Sequence, residues 1–113
     1  MKNIKIFVCH HKNSPFIKTN SLIPIHAGKA NSNLELGIIG DNTGDNISER
    51  NGSWCELTVI YWMWKNVQAD YYGLFHYRRF LNFKDLNAGY DTFNDFSEEN
   101  LEKFGWDDKT IED

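Results

Sequence analysis

The sequence predicts an α/β fold, a mainly parallel sheet in three layers with one long helix. Three observations carry that prediction. A β-branched apolar run begins almost at the first residue (Ile4 to Cys9), an amphipathic stretch spans 53–67, and a short aromatic strand, Tyr71 to Phe75, follows after a brief turn. Strand, helix, strand is the order that brings a chain back parallel to itself. Ile4–Cys9 and Tyr72–Phe75 are therefore expected to pair in parallel, with helix 53–67 as the right-handed crossover.

The first strand stops at His10-His11-Lys12-Asn13-Ser14-Pro15, where proline forbids a continuing ladder, so His10, His11 and Lys12 fall at its carboxyl end. Between Ser14 and Gly52 the periodicity is weak. Leu22–His26 reads as a short extended piece around Pro24, and Leu36–Ile39 as another. So long a stretch without a helix is read as a binding loop. Its most distinctive part is a near-duplicated Gly-Asp-Asn, in which Asp41, Asn42, Thr43, Asp45 and Asn46 are candidate ligand contacts. Glycine admits positive φ, and Asp and Asn fold back on nearby amides, so the same residues also suit a solvated turn leading into the helix. A calcium loop starting at Asp41 fails on spacing. It would put Asn46 where glycine is needed and Gly52 where a bidentate Glu is needed.

The helix is expected to start at a capping box, Ser53 with Glu56, and to bury Trp54, Leu57, Ile60, Tyr61, Trp64 and Val67. The strand after it contains Gly73, which admits a close neighbour, and delivers His76, Tyr77, Arg78 and Arg79 to its far end. Further on, 95–104 reads as a helix capped by Ser97 with Phe96, Leu101 and Phe104 as its apolar face, and another capped helix is expected from Trp106. A chain that stops where a helix opens is expected to be a piece of a longer protein.

Charge is divided unevenly. Residues 1–83 carry nine Lys/Arg against six Asp/Glu, and residues 84–113 carry three against ten. This argues against a nucleic-acid partner, which needs a broad basic face, and leaves room for a small anionic ligand on the basic part. Two cysteines, Cys9 and Cys55, are read as reduced core thiols in a reducing compartment. The N-terminus lacks a signal-peptide pattern, and no apolar run has membrane-spanning length, so any membrane association is expected to be peripheral.

In open α/β sheets, ligands bind beyond the carboxyl ends of the strands, where this sequence puts its histidines and paired arginines. Arginine grips phosphate bidentately, and histidine exchanges protons near neutral pH. Arg78 or Arg79 pairing with Asp41, Asp45 or Glu56 is the structural alternative. Adjacent His10 and His11 have no Cys/His/Asp spacing that would complete a metal site. No Walker phosphate loop, nucleophile elbow or His-Glu-x-x-His is present.

Four stretches in order, Ile23-Pro-Ile-His-Ala-Gly, Ile39-Gly-Asp-Asn-Thr-Gly-Asp-Asn-Ile-Ser, the helix from Cys55-Glu-Leu-Thr to Tyr-Trp-Met-Trp-Lys-Asn, and Tyr72-Gly-Leu-Phe-His-Tyr-Arg-Arg-Phe, resemble the amino-terminal part of the bacterial glycosyltransferases grouped as the DUF4422 family. The resemblance covers roughly residues 4 to 83. Members sit in loci for capsular polysaccharide, exopolysaccharide and lipopolysaccharide synthesis. The resemblance implies a partial GT-A-like (Rossmann-like) domain, with residues 1–83 as its amino-terminal part and 84–113 as an acidic tail of the same domain. It implies a cytoplasmic glycosyltransferase moving a sugar from a nucleoside diphosphate sugar, a UDP-sugar in the first instance, to a cell-surface glycan acceptor. Other GT-A enzymes place an Asp-x-Asp metal pair where this chain has His76-Tyr77-Arg78-Arg79. That difference disfavours Mg²⁺ or Mn²⁺ and leaves the arginines to balance the leaving diphosphate. A non-catalytic nucleotide- or glycan-binding module, or an inactive fragment, is the alternative for so short a chain.

Overall fold

The computed structural model describes residues 3–77 and 111. The fold is α/β, with a parallel sheet in the order β3-β2-β1-β4. Its strands are β1 (Ile4–His10), β2 (Leu22–His26), β3 (Ile39–Gly40) and β4 (Tyr71–His76). Two short helices follow β3, α1 (Asn51–Trp54) and α2 (Leu57–Asn66). The predicted pairing of the first and last strands is present, with Ile4 beside Tyr71 and Cys9 beside His76. On the other side of β1, Ile6 pairs with Leu22 and His10 with His26, again in parallel.

β1 lies between two neighbours and is covered on both faces, which explains its nearly continuous apolar run. Alternation along the strands sorts the core into two halves. Ile6, Val8, Leu22, Phe75 and Tyr77 face one way, joined by Ile17 and Ile111. Phe7, Cys9 and Ile25 face the other, packed with Ala27 and with Val59, Trp62 and Met63 of α2. Gly73 has a local reason: a Cβ there would come within 2.9 Å of Ile6 Cγ1, so its absence lets β1 pack against β4.

The helix differs from expectation in start and in facing. Ser53 lies inside α1 rather than at a cap, and the segment breaks at Cys55, whose φ is 51°. Asn51 stabilises the break by donating from Nδ2 to the Cys55 carbonyl (2.8 Å) and to Thr58 Oγ1 (2.9 Å). Of the face expected to be buried, Val67 packs against the core, but most of the rest faces outward. Trp64 is 70% exposed, Leu57 and Trp54 48%, and Ile60 42%, while Thr58, Val59, Trp62 and Met63 point inward. α2 is apolar on both sides, so spacing alone fits either orientation. Polar groups decide it: Thr58 and Trp62 carry a hydroxyl and an indole N–H, and both have partners on the inner side. Cys55, expected in the core, is exposed in the break; Cys9 is buried, and both thiols are free.

The facing is tested by substitution. Leu57→Ser and Trp64→Ser are expected to change unfolding free energy by no more than about 0.5 kcal/mol, as for exposed sites generally. Urea denaturation of each variant checks this. A loss above about 2 kcal/mol would mean that the outer face is packed in solution.

The helices expected over 95–104 and from Trp106 lie outside the described residues. No helix among the described residues is long and apolar enough to cross a membrane.

Candidate functional site at the carboxyl edge of the sheet

Parallel strands end on a common edge, and here the edge collects every histidine of the chain. His10 ends β1, His26 ends β2 and His76 ends β4, and His11 follows His10. The ring centroids of His11 and His76 are 6.2 Å apart. Tyr77 lies among them, 4.5 Å from His76, 5.1 Å from His11 and 5.6 Å from His10. The Lys12 ammonium sits 5.7 Å from the Tyr77 ring centroid, within cation–π range. Thus His10, His11, Lys12, His76 and Tyr77 form one cluster. Arg78 and Arg79 lie outside the described residues.

Burial differs sharply within this cluster. His11 and Lys12 are exposed, whereas His10 and His26 are almost wholly covered. Burial lowers the His10 pKa to about 4, and the neighbouring His76, His11 and His26 push it the same way. Burial also lowers that of His26; Lys29 adds to this, and Asp41 and Glu35 oppose it. Both rings are therefore neutral at neutral pH. The sequence alone does not single out His26. It ends β2, and the parallel register with β1 places it beside His10.

The loop residues 41–46 do not join this cluster as a group. Asp41 follows β3 at the carboxyl edge, but it is fully buried and its carboxylate is occupied inside the protein. Oδ2 accepts from the Gly28 N–H (2.9 Å) and the Thr58 hydroxyl (2.6 Å). Oδ1 accepts from the Lys29 N–H (3.2 Å) and the Ser48 hydroxyl (2.6 Å). Asn42 is exposed. From there the loop runs along α2: Thr43 accepts from the Trp62 indole (2.9 Å), Asp45 from the Tyr61 hydroxyl (2.9 Å), and the Asp45 carbonyl from Asn66 (2.9 Å). Asn46 closes its own turn, donating to the Gly44 carbonyl and accepting from the Ser48 N–H. α2 ends before β4 begins at the amino edge, so the path from Thr58 to Asn66 leads about 12 Å away from the histidines.

Among the described residues no group of three or more His, Cys, Asp or Glu side chains is placed to hold a metal ion. Cys9, beneath the edge, is no nucleophile at neutral pH. Burial, with Glu56 and Asp41 adding, pushes its thiol up to about 12.

Comparison with known proteins yields two findings. The family model described as domain of unknown function DUF4422 matches residues 5–112. The chain is also similar to a solved structure described as the apo WbbM bifunctional glycosyltransferase, with a TM-score of 0.88 and 45% identity over 97% of this chain. The chain spans 20% of that protein's length. None of the curated proteins matches.

Proposed function

The chain belongs to the DUF4422 family, and from that membership we propose that it is the donor-binding part of a GT-A-like glycosyltransferase. The donor is a nucleoside diphosphate sugar, a UDP-sugar in the first instance, and the acceptor a growing cell-surface polysaccharide of capsular or exopolysaccharide type, met from the cytoplasmic side. One observation carries the reading. In a chain with the fold and 45% identity of part of a glycosyltransferase, the carboxyl edge of the parallel sheet gathers His10, His11, Lys12, His76 and Tyr77 immediately before Arg78 and Arg79.

On this reading the edge divides its labour by charge. Lys12 is the described cation nearest the diphosphate, and the positive charge of Arg78 and Arg79, next in sequence after Tyr77, is assigned to stabilising the negative charge that grows as the sugar leaves. His11 and His76 lie beside that path and donate hydrogen bonds to phosphate oxygens. Asp41 and the 43–46 loop serve the scaffold.

Amide-shift titration of the labelled 113-residue chain with UDP and a UDP-sugar, each with and without Mg²⁺ or Mn²⁺, tests the proposal. Shifts are expected without metal at residues 10–12, 26 and 76–79, with little change at 43–46. In Arg78→Ala/Arg79→Ala, affinity for UDP should fall at least tenfold while affinity for uridine holds. Binding only in the presence of metal retires the role given to the arginines. A folded sample that binds no nucleotide refutes the donor-site reading.

A further inference from the structure

His10 and His26 present an unusual arrangement. They are register partners on adjacent parallel strands, so their side chains rise from the same face of the sheet at the same edge. His10 is 2% exposed and His26 1%. His10 Nδ1 is paired with the Ser14 hydroxyl at 2.9 Å. His10 Nε2 and both ring nitrogens of His26 have no hydrogen-bond partner among the described residues, although each is sealed from solvent. Buried polar atoms are nearly always paired, and three unpaired nitrogens on two touching strands call for a partner that the described residues do not supply.

The chemistry of the pair narrows that partner. A neutral imidazole offers one N–H donor and one lone-pair acceptor. Burial keeps both rings neutral, so they act as hydrogen-bonding groups and not as cations. Phosphate offers acceptors only and would leave an imidazole lone pair facing negative charge. A group that alternates N–H and C=O satisfies both histidines. Aromatic side chains border the pair: Tyr77 lies 5.6 Å from His10 at a 31° tilt, and Phe16, half exposed, stands edge-on to it at 6.4 Å, so a flat ring entering beside His10 would meet aromatic faces and edges.

We infer that His10 and His26 form an uncharged floor that reads the amide edge of a nucleobase. The inference rests on the donor-binding reading above and adds to it the group that selects the base. It places the base on the His10–His26 face, with the diphosphate running toward Lys12.

The test uses the nucleoside diphosphate that binds best among UDP, GDP, ADP and dTDP, together with its free nucleoside and inorganic pyrophosphate. His26→Leu is expected to weaken the nucleoside and the diphosphate about tenfold, leave pyrophosphate unchanged, and hold or raise Tm, because it deletes two unpaired buried nitrogens. His26→Gln, which restores a donor and an acceptor, is expected to recover most of the affinity. A core role predicts the opposite pattern: Tm lower by several degrees and unchanged affinity in both variants, which overturns the inference. Equal weakening of pyrophosphate and nucleoside overturns it as well. If the wild type binds none of the four, the donor reading fails and this inference with it. If the wild type binds and both variants match it, only this inference fails.

Discussion

Replacing Asp41 by alanine is expected to cost about 3–5 kcal/mol of folding stability, a large fraction of the roughly 5–15 kcal/mol typical of a domain. The side chain is fully buried and accepts four hydrogen bonds from three separate segments: Gly28 and Lys29 after β2, Ser48 before α1, and Thr58 in α2. Alanine removes all four acceptor contacts and leaves two backbone N–H groups with nothing in their place. A buried unpaired donor costs about 1–3 kcal/mol. The two hydroxyls recover part of the loss by rotating, since Thr58 already lies 3.1 Å from the Cys55 carbonyl. The effect also spreads, because Ser48 Oγ accepts from the Ala30 N–H (3.0 Å) and Thr58 Oγ1 from Asn51 (2.9 Å). Asn at position 41 keeps one oxygen but turns an NH₂ toward two donors, and about 2–3 kcal/mol should be lost. Urea denaturation followed by tryptophan fluorescence reads both values. A loss below about 1 kcal/mol in Asp41→Ala would show that the carboxylate is dispensable to the fold and return it to the ligand-binding candidates.

That result bears on how the sequence can be read. Asp and Asn in a glycine-rich loop satisfy backbone amides, and the sequence does not say whether those amides belong to the loop or whether the side chains turn to a ligand. Asp41 is buried with its carboxylate fully occupied, whereas Asp45 and Asn46 bond other residues of the chain from exposed and half-buried positions. β2 is legible to the residue, Leu22–His26, as a short extended apolar piece around Pro24. The parallel pairing of β1 with β4 followed from strand order alone. The facing of α2 was not legible, because Leu57, Ile60, Tyr61 and Trp64 match a buried stripe as well as Val59, Trp62 and Met63 do. The break at Cys55 depends on the Asn51 side chain reaching across it, a tertiary choice that periodicity does not record. His26 needed the β1–β2 register, which brings it beside His10. The family match extends from residue 5 to 112, well past the motifs that end near residue 83.

The second large effect concerns acid. Between about pH 6.5 and about pH 4 the chain is expected to lose up to about 3 kcal/mol of stability through His10 alone. The folded pKa is depressed to about 4 from the ordinary 6.5, with burial as the main cause and the charges of His76, His11 and His26 adding. As pH falls, the unfolded chain takes the proton first, so protons bound by the unfolded state exceed those bound by the folded one and stability drops. Above pH 6.5 both states are neutral at this ring, and the contribution is flat. His26 is shifted in the same direction, with burial and Lys29 acting against Asp41 and Glu35, so it steepens the same slope. Glu35 is lowered, by its hydrogen bond and charge contact with Lys29, and so does not oppose this slope. Urea unfolding at pH 4.5, 5.5, 6.5 and 7.5 measures the slope. His10→Gln, which keeps a partner for Ser14 and removes the titrating ring, should flatten it. Equal slopes in wild type and His10→Gln would mean that His10 accepts a proton without unfolding. The ring would then be open to water at the carboxyl edge of the sheet, and burial would no longer set its charge.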